Sequence, residues 1–275
     1  MMAAYTTLRV SRAPDEPSVA HVELARPSKR NAMNRDFFDE LAAAFAALGA
    51  DASTRCIVLS AEGPAFSAGL DLAELARHEP GVDAARTALG LRARVLALQR
   101  AFGALERCPQ PVLALAHGAC IGGAVDLLCC ADVRWCAADA HFCVKEVELG
   151  LAADLGTLQR LPGLVGSRSL ACELAYSARP MGAAEAAACG FVSRVLPTRA
   201  QLLDAGFALA ARIAAMPPVA VAGSKLALLY SRDHPAVADG LEQVATWNGA
   251  ALQTADLSEA AAALRERRAG RYARL

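Results

Sequence analysis

The pattern of apolar positions changes character along the chain. Residues 8–10 and 21–24 are short apolar or alternating runs joined by a Pro-containing turn, and they read as strands. Asn34 stands where a helix N-cap belongs, ahead of Phe37, Leu41, Phe45 and Leu48 at helical spacing. Residues 56–60 and 112–117 are apolar runs of strand length. Between them lie a loop at 61–67 with Gly63 and Pro64, a short helical stretch from Ala68, and one long helix at 84–107. Residues 118–123 read as a glycine turn and 126–131 as the start of a helix, with short strands at 133–136 and 141–144. Beyond about Leu155 helices dominate, at 167–176, 183–189, 201–215, 219–231 and 236–253, with one strand at 191–195. The last stretch, 259–275, reads as a charged helix with an Arg-rich, solvated end. Strands alternating with helices, then helices alone, predict an α/β core over 1–200 and a helical C-terminal region over 201–275.

Composition narrows the class. A chain of 275 residues buries a core without disulfide or metal staples. Hydrophobic residues at 55% and charged residues at 20% describe a globular protein. Basic and acidic residues balance at 28 each, so the basic excess of a nucleic-acid binder is missing. Only Lys29, Lys145 and Lys225 are lysines, a bias toward Arg that fits a GC-rich coding sequence and singles out the three that remain. The nine cysteines include no C-x-x-C pair, and no zinc-site spacing surrounds Cys129, Cys130, Cys136 and Cys143. They read as small buried hydrophobes in a reducing compartment. Residues 1–10 carry no long apolar run, so no secretory signal is expected. The uncharged run 108–125 is broken by Pro, Gln, His and Gly, so it predicts a strand and turn, not a membrane span. The sequence therefore predicts a soluble intracellular protein.

Several familiar motifs are absent. Ala65-Phe66-Ser67-Ala68-Gly69 lacks the first glycine of a nucleophile elbow, and no Walker loop, G-x-G-x-x-G or H-E-x-x-H occurs. What stands out is a repeated design. The segment from Ala65 to Leu72 and the segment from His117 to Asp126 each follow a strand, pass small residues and are expected to open a helix. Helix N-termini leave N–H groups without partners, and two such donors aimed at one point would hold an anionic oxygen. Plain turn chemistry is the alternative for either segment alone. Acids follow: Asp126, then Glu146, Glu148 and Asp154 in strongly apolar surroundings. Desolvation and mutual repulsion raise the pKa of such groups toward neutrality, where they exchange protons. Glu148 reads instead as an exposed charge or an ion pair with Lys145 or Arg134.

Together these features resemble the enoyl-CoA hydratase/isomerase superfamily, the crotonase fold, over nearly the whole chain. Within it the chain resembles the dienoyl-CoA isomerases. The resemblance rests on residues 24–34, on 144–162 with Lys145, Glu146, Gly150, Asp154, Gln159, Arg160 and Pro162, on Gly223-Ser224-Lys225, on 230–234 and on Ala245-Thr246-Trp247-Asn248. It implies repeated ββα units in the core and a helical trimerisation region after it. It implies that the N–H groups of Ala68 and Gly123 hold a thioester oxygen, and that Ala68, Gly69, Leu70, Asp71 and Leu72 form a substrate-binding strip. Glu146 would move the proton at carbon 2, Asp154 would serve carbon 6, and Asp126 would be the third acid. Lys29 and Arg30, and more weakly Lys225, would lie toward the CoA phosphates. No metal or redox cofactor is implied; coenzyme A belongs to the substrate. The partners implied are an acyl-CoA and further copies of the chain in a homotrimer or homohexamer, for which the apolar helix at 236–253 suits an interface. Nucleic acid and a membrane span are not expected.

The expected reaction shifts a 3,5-dienoyl-CoA to the 2,4-dienoyl-CoA in fatty-acid β-oxidation. The alternatives are an enoyl-CoA hydratase, a delta(3)-delta(2)-enoyl-CoA isomerase, a non-catalytic acyl-CoA or RNA binder, and a thioester hydrolase. The tail Ala273-Arg274-Leu275 resembles a peroxisomal address. In a bacterium the chain would be cytoplasmic; in a eukaryote, peroxisomal or mitochondrial.

Overall fold

Asn34 caps the first helix as its position suggests. Its Oδ1 accepts from Phe37 N at 3.1 Å, α1 (Arg35–Ala50) follows, and Phe37, Leu41, Phe45 and Leu48 are all buried. The computed structural model describes residues 5–75 and 81–275, so part of the 1–10 stretch lies outside the described residues.

The helix packs on a six-stranded sheet. Its strands are β1 (Leu8–Arg12), β2 (Val19–Leu24), β3 (Cys56–Ala61), β4 (Val112–Ala116), β6 (Val133–Ala137) and β9 (Arg194–Leu196), in the order β1-β2-β3-β4-β6-β9. β1 pairs antiparallel with β2, and every later neighbour is parallel. β3 and β4 are buried at every position, as strands covered on both faces must be. Three further strands, β5 (Ala119–Ile121), β7 (His141–Cys143) and β8 (Met181–Gly182), form a small sheet in the order β5-β7-β8.

The two faces of the large sheet carry different layers. Val22, Leu24, Ile57, Leu59 and Ala114 pack with α1 and with α5 (Gly123–Cys129) in the main core. Val19, Val58, Leu113, Leu115 and Trp135 face the other way, against Leu202, Ala210 and Ala214 of α9 (Arg199–Ala214). Residues on the C-terminal side of position 200 thus supply one layer of the core itself.

Several expected elements are corrected. The helix at 84–107 is two, α3 (Ala84–Phe102) and α4 (Ala104–Arg107), divided at Gly103, a poor helix former. The helix expected from Ala68 is the short α2 (Leu72–Leu75), because residues 67–70 are tied into backbone bridges instead. The glycine turn contains β5, and α5 begins at Gly123. α6 (Thr157–Leu164) forms although Gly156 precedes it and Pro162 lies within it. It is followed by α7 (Arg168–Ser177), α8 (Ala183–Ala188), α10 (Pro218–Asp233), α11 (Val237–Ala251) and α12 (Ala255–Glu266). α12 ends at Arg267, in the left-handed region, so the last residues are not helical. Arg55 holds that tail by donating to Tyr272 O at 2.7 Å and Ala273 O at 3.2 Å.

Seven cysteines are buried, Cys172 and Cys189 are half-buried, and all nine are free. Among the described residues no single helix is long and apolar enough to cross a membrane; α9 and α10 reach that length only as a pair bent by 109°.

Candidate active site

The first glycine turn is fixed by a buried asparagine. Arg30 and Asn31 are both left-handed, a conformation an Asn tolerates well. Asn31, 3% exposed, donates through Nδ2 to Glu62 O at 2.8 Å and Ala65 O at 2.9 Å, and accepts from Arg26 N at 2.8 Å. Ser67 Oγ donates to Asn31 O at 2.7 Å and accepts from Gly69 N at 3.0 Å. Ala68 N donates to Arg30 O at 2.9 Å. The Ala68 N–H is therefore consumed by the fold, and its expected place as an oxyanion donor is corrected. Met33 bonds to the residues on either side of Leu70, Gly69 O and Asp71 N, so the Leu70 N–H points away from that bridge. Among the described residues it has no acceptor.

The second turn lies against the first. A Cβ at Gly69 would stand 2.5 Å from Ile121 O and 3.6 Å from Gly123 N, so only glycine allows the approach, and its φ of +86° requires glycine as well. The Gly123 N–H, first in α5, also has no acceptor among the described residues. The free N–H groups of Leu70 and Gly123 thus lie on two abutting turns, and both positions belong to the expected site.

The acids sit beside these donors. Glu146 is 9% exposed at the start of a 3-10 turn, Glu146–Leu149. Its Oε1 would lie 3.0 Å from a Cβ at Gly122, and its Oε2 is buried without a hydrogen-bond partner. Burial first, and the charge of Asp126 second, push Glu146 up to about 7. Asp126, on the first turn of α5, is 1% exposed, and its Oδ1 accepts from Thr157 N at 2.6 Å. Burial pushes Asp126 up to about 6, with Thr157 opposing the rise, its N–H through the hydrogen bond, and the charge of Asp154 adding to it. Asp154 is exposed, and partial desolvation raises it too. The charge of Asp126 raises Glu146, and the charge of Asp154 raises both, so the three carboxylates lie near one another. A group with a pKa near 7 in an apolar site is suited to take and return a proton at neutral pH.

The remaining expected residues separate by burial. Glu148 is exposed and pairs with Lys145 at 2.5 Å, one of the two partners anticipated for it. Asp71 pairs with Arg26 at 3.6 Å and accepts from Ala73 N at 3.3 Å, so its carboxylate starts α2. Leu72 is exposed. Lys29 and Arg30 are exposed on the turn whose backbone receives Ala68 N. Lys225 is not available to a phosphate. It is 5% exposed, pairs with Asp132 at 2.9 Å, and donates to Leu105 O at 2.7 Å and Gln110 O at 3.0 Å. Sequence reasoning missed Thr157, Gly122, and Met33, whose Sδ would lie 3.3 Å from a Cβ at Gly123. Short-range spacing carries no sign of these contacts, which join distant segments. A cavity of about 420 Å³ borders Leu70, lined also by Asn34, Phe38, Arg94 and Leu98. Among the described residues no group of three or more His, Cys, Asp or Glu side chains is arranged to hold a metal ion.

Comparison with known proteins adds a family to this geometry. The sequence profile described as enoyl-CoA hydratase/isomerase matches residues 15–274. The chain is 49% identical over 266 residues to the Homo sapiens mitochondrial delta(3,5)-delta(2,4)-dienoyl-CoA isomerase, covering 96% of this chain and 80% of that one. It is 42% identical to the peroxisomal protein of that name from Arabidopsis thaliana, covering 100% of this chain and 99% of that one. Among solved structures, an enoyl-CoA hydratase from Bacillus anthracis superposes with a TM-score of 0.88 at 29% identity, over 98% of this chain and 99% of that one. Sequence, fold and the two abutting glycine turns agree, and the chain belongs to the enoyl-CoA hydratase/isomerase family.

Proposed function

We propose that this chain is an isomerase that moves the double bonds of a 3,5-dienoyl-CoA into the 2,4-conjugated position. The observation that carries this reading is Glu146, buried with one oxygen unpartnered and influenced by the charges of Asp126 and Asp154, beside the turn that carries the free Gly123 N–H and abuts that of Leu70. The likeness to the human and Arabidopsis proteins supports the same reaction.

In the mechanism, the thioester oxygen lies on the N–H groups of Leu70 and Gly123, which stabilise the enolate oxygen formed when carbon 2 loses a proton. Glu146 takes that proton through Oε2, the buried oxygen with no other partner. The negative charge spreads along the conjugated chain, and Asp154 delivers a proton at carbon 6. One proton leaves carbon 2 and one reaches carbon 6, so the product is an isomer of the substrate. Asp126, fixed by Thr157 N, tunes Glu146 through its charge. Coenzyme A enters as part of the substrate, with Lys29 and Arg30 facing its phosphates, and no other cofactor takes part.

Val237, Leu241, Leu257 and Leu264 stand exposed on the C-terminal helices, with Leu252 exposed between them, and support self-association as a trimer or hexamer. The mitochondrial and peroxisomal relatives support the matrix of an organelle, or a bacterial cytoplasm, as its place.

The test is to offer a 3,5-dienoyl-CoA and a 2-enoyl-CoA side by side. The isomerase reading expects the absorbance of a conjugated diene to rise with the first. Preferential loss of the enoyl signal with the second would identify a hydratase instead.

A further inference from the structure

Thr157 opens α6 and is 1% exposed. Its N–H donates to Asp126 Oδ1 at 2.6 Å, whereas its hydroxyl is buried with no hydrogen-bond partner. A buried hydroxyl left unpaired is costly and calls for an explanation. This one lies within reach of two groups, the Asp126 carboxylate and the Cys129 thiol, without a well-aligned bond to either. The carboxylate is the stronger acceptor. The first turn of α6 is also held in place. Arg160, one turn further on, donates to both oxygens of Glu106 at 2.9 and 2.6 Å, and Arg232 of α10 binds the same Glu106.

We propose that Thr157 is a positioning residue that acts through Asp126: its N–H and hydroxyl together hold the Asp126 carboxylate as an anion facing Glu146, and so set when Glu146 is protonated. The inference rests on the isomerase reading for its consequence in turnover, but not for its structural content. The charged and titratable groups near Asp126 are Arg160 of α6, Asp154 from the loop before it, Cys129 and Cys130 at the end of α5, and Glu146. Those near Glu146 are Asp126, Asp154 and the Cys143 thiol, while Lys145 is turned to Glu148. Arg160 favours the Asp126 anion, and Asp154 opposes it. The Thr157 hydroxyl is a neutral side-chain donor that can shift this balance and that a substitution can remove.

The sign follows. Without the hydroxyl, the Asp126 anion loses a donor and Asp126 holds its proton to higher pH. A neutral Asp126 no longer repels charge on Glu146, so Glu146 ionises at lower pH. Thr157→Val keeps the shape and removes the hydroxyl; Thr157→Ser restores it. Two readouts are taken on the full chain. One is the acidic limb of the pH profile of kcat/KM with 3,5-dienoyl-CoA. The other is the titration of the Glu146 carboxyl by carbon NMR, assigned with Glu146→Gln, which needs no substrate.

Thr157→Val is expected to move both to lower pH by roughly half a unit or more, and Thr157→Ser to return them toward the parent. A Glu146 titration identical in the parent, Thr157→Val and Thr157→Ser would overturn the inference. If the parent does not turn over 3,5-dienoyl-CoA but the NMR shift is seen, the isomerase reading fails and the positioning role stands.

Discussion

Glu106 and Glu146 are both largely buried glutamates, yet the fold treats them in opposite ways. Glu106, on α4, receives Arg160 through two hydrogen bonds and Arg232 through another, and these partners hold its carboxyl below the usual range against the cost of burial. Among the described residues Glu146 has no cation paired with it and keeps one oxygen unpartnered, and with the charges of two other acids nearby its buried carboxyl rises to about 7. Burial alone does not decide the state of a carboxyl: the partner supplied at the same depth does. Glu106 ties α4, α6 and α10 together. Glu146 is left poised to change its charge.

The contrast is broken most forcefully at Glu146. Glu146→Gln is expected to lower kcat for the dienoyl substrate by about 10²–10⁴-fold, the usual worth of a positioned acid–base group, with little change in KM. Steady-state kinetics on the diene absorbance checks it.

At Glu106 the expected loss is of stability. Glu106→Gln takes the counter-charge from Arg160, while Arg232 keeps Asp233, at a cost of about 1–3 kcal/mol. Denaturant unfolding measures it.

An effect of similar size sharpens the comparison through pH. Glu146 binds its proton more tightly folded than unfolded, so the fold loses stability as pH rises from near 4.5 through about 7. Removing the carboxyl should therefore stabilise the protein above that window. Glu146→Gln is expected to exceed the parent by about 1–3 kcal/mol near pH 8, a gain that vanishes below about pH 4.5. Thermal unfolding at the two pH values tests the sign. The smallest change is at Glu148, exposed and paired with Lys145. Glu148→Gln should alter stability by no more than about 0.5 kcal/mol and leave turnover unchanged, as thermal unfolding and the diene assay will show.

Much of this arrangement is legible in the chain's local patterns, and the reasons differ from place to place. Asn34 and the apolar face behind it define α1 because capping and helical periodicity are short-range. The buried strands β3 and β4 follow from unbroken apolar runs. α6 was hidden because Gly156, Pro162 and Gly163 argue against a helix locally, while tertiary packing and the Arg160–Glu106 pair hold one. The short strands β5 and β8 need partners from distant segments and carry no periodicity of their own.

In the site, the acids and both glycine turns stand out in the sequence, whereas the donor that the resemblance implies at Ala68 gives way to the free N–H two positions on, at Leu70. Small residues mark where a backbone can be approached. Only the path of Arg30 shows that the Ala68 N–H is already taken while the Leu70 N–H is free. Lys225 is illegible for a similar reason: a rare lysine suggests a ligand, but its partners, Asp132 and two carbonyls, lie more than ninety residues away.

The most direct test of a two-acid proton shift is the product formed from a 3,5-dienoyl-CoA in heavy water, analysed by mass spectrometry. The account predicts a conjugated 2,4-dienoyl-CoA carrying deuterium at carbon 6, formed about 10²–10⁴-fold more slowly by Glu146→Gln. A product heavier by the elements of water, or full turnover by Glu146→Gln, would contradict it.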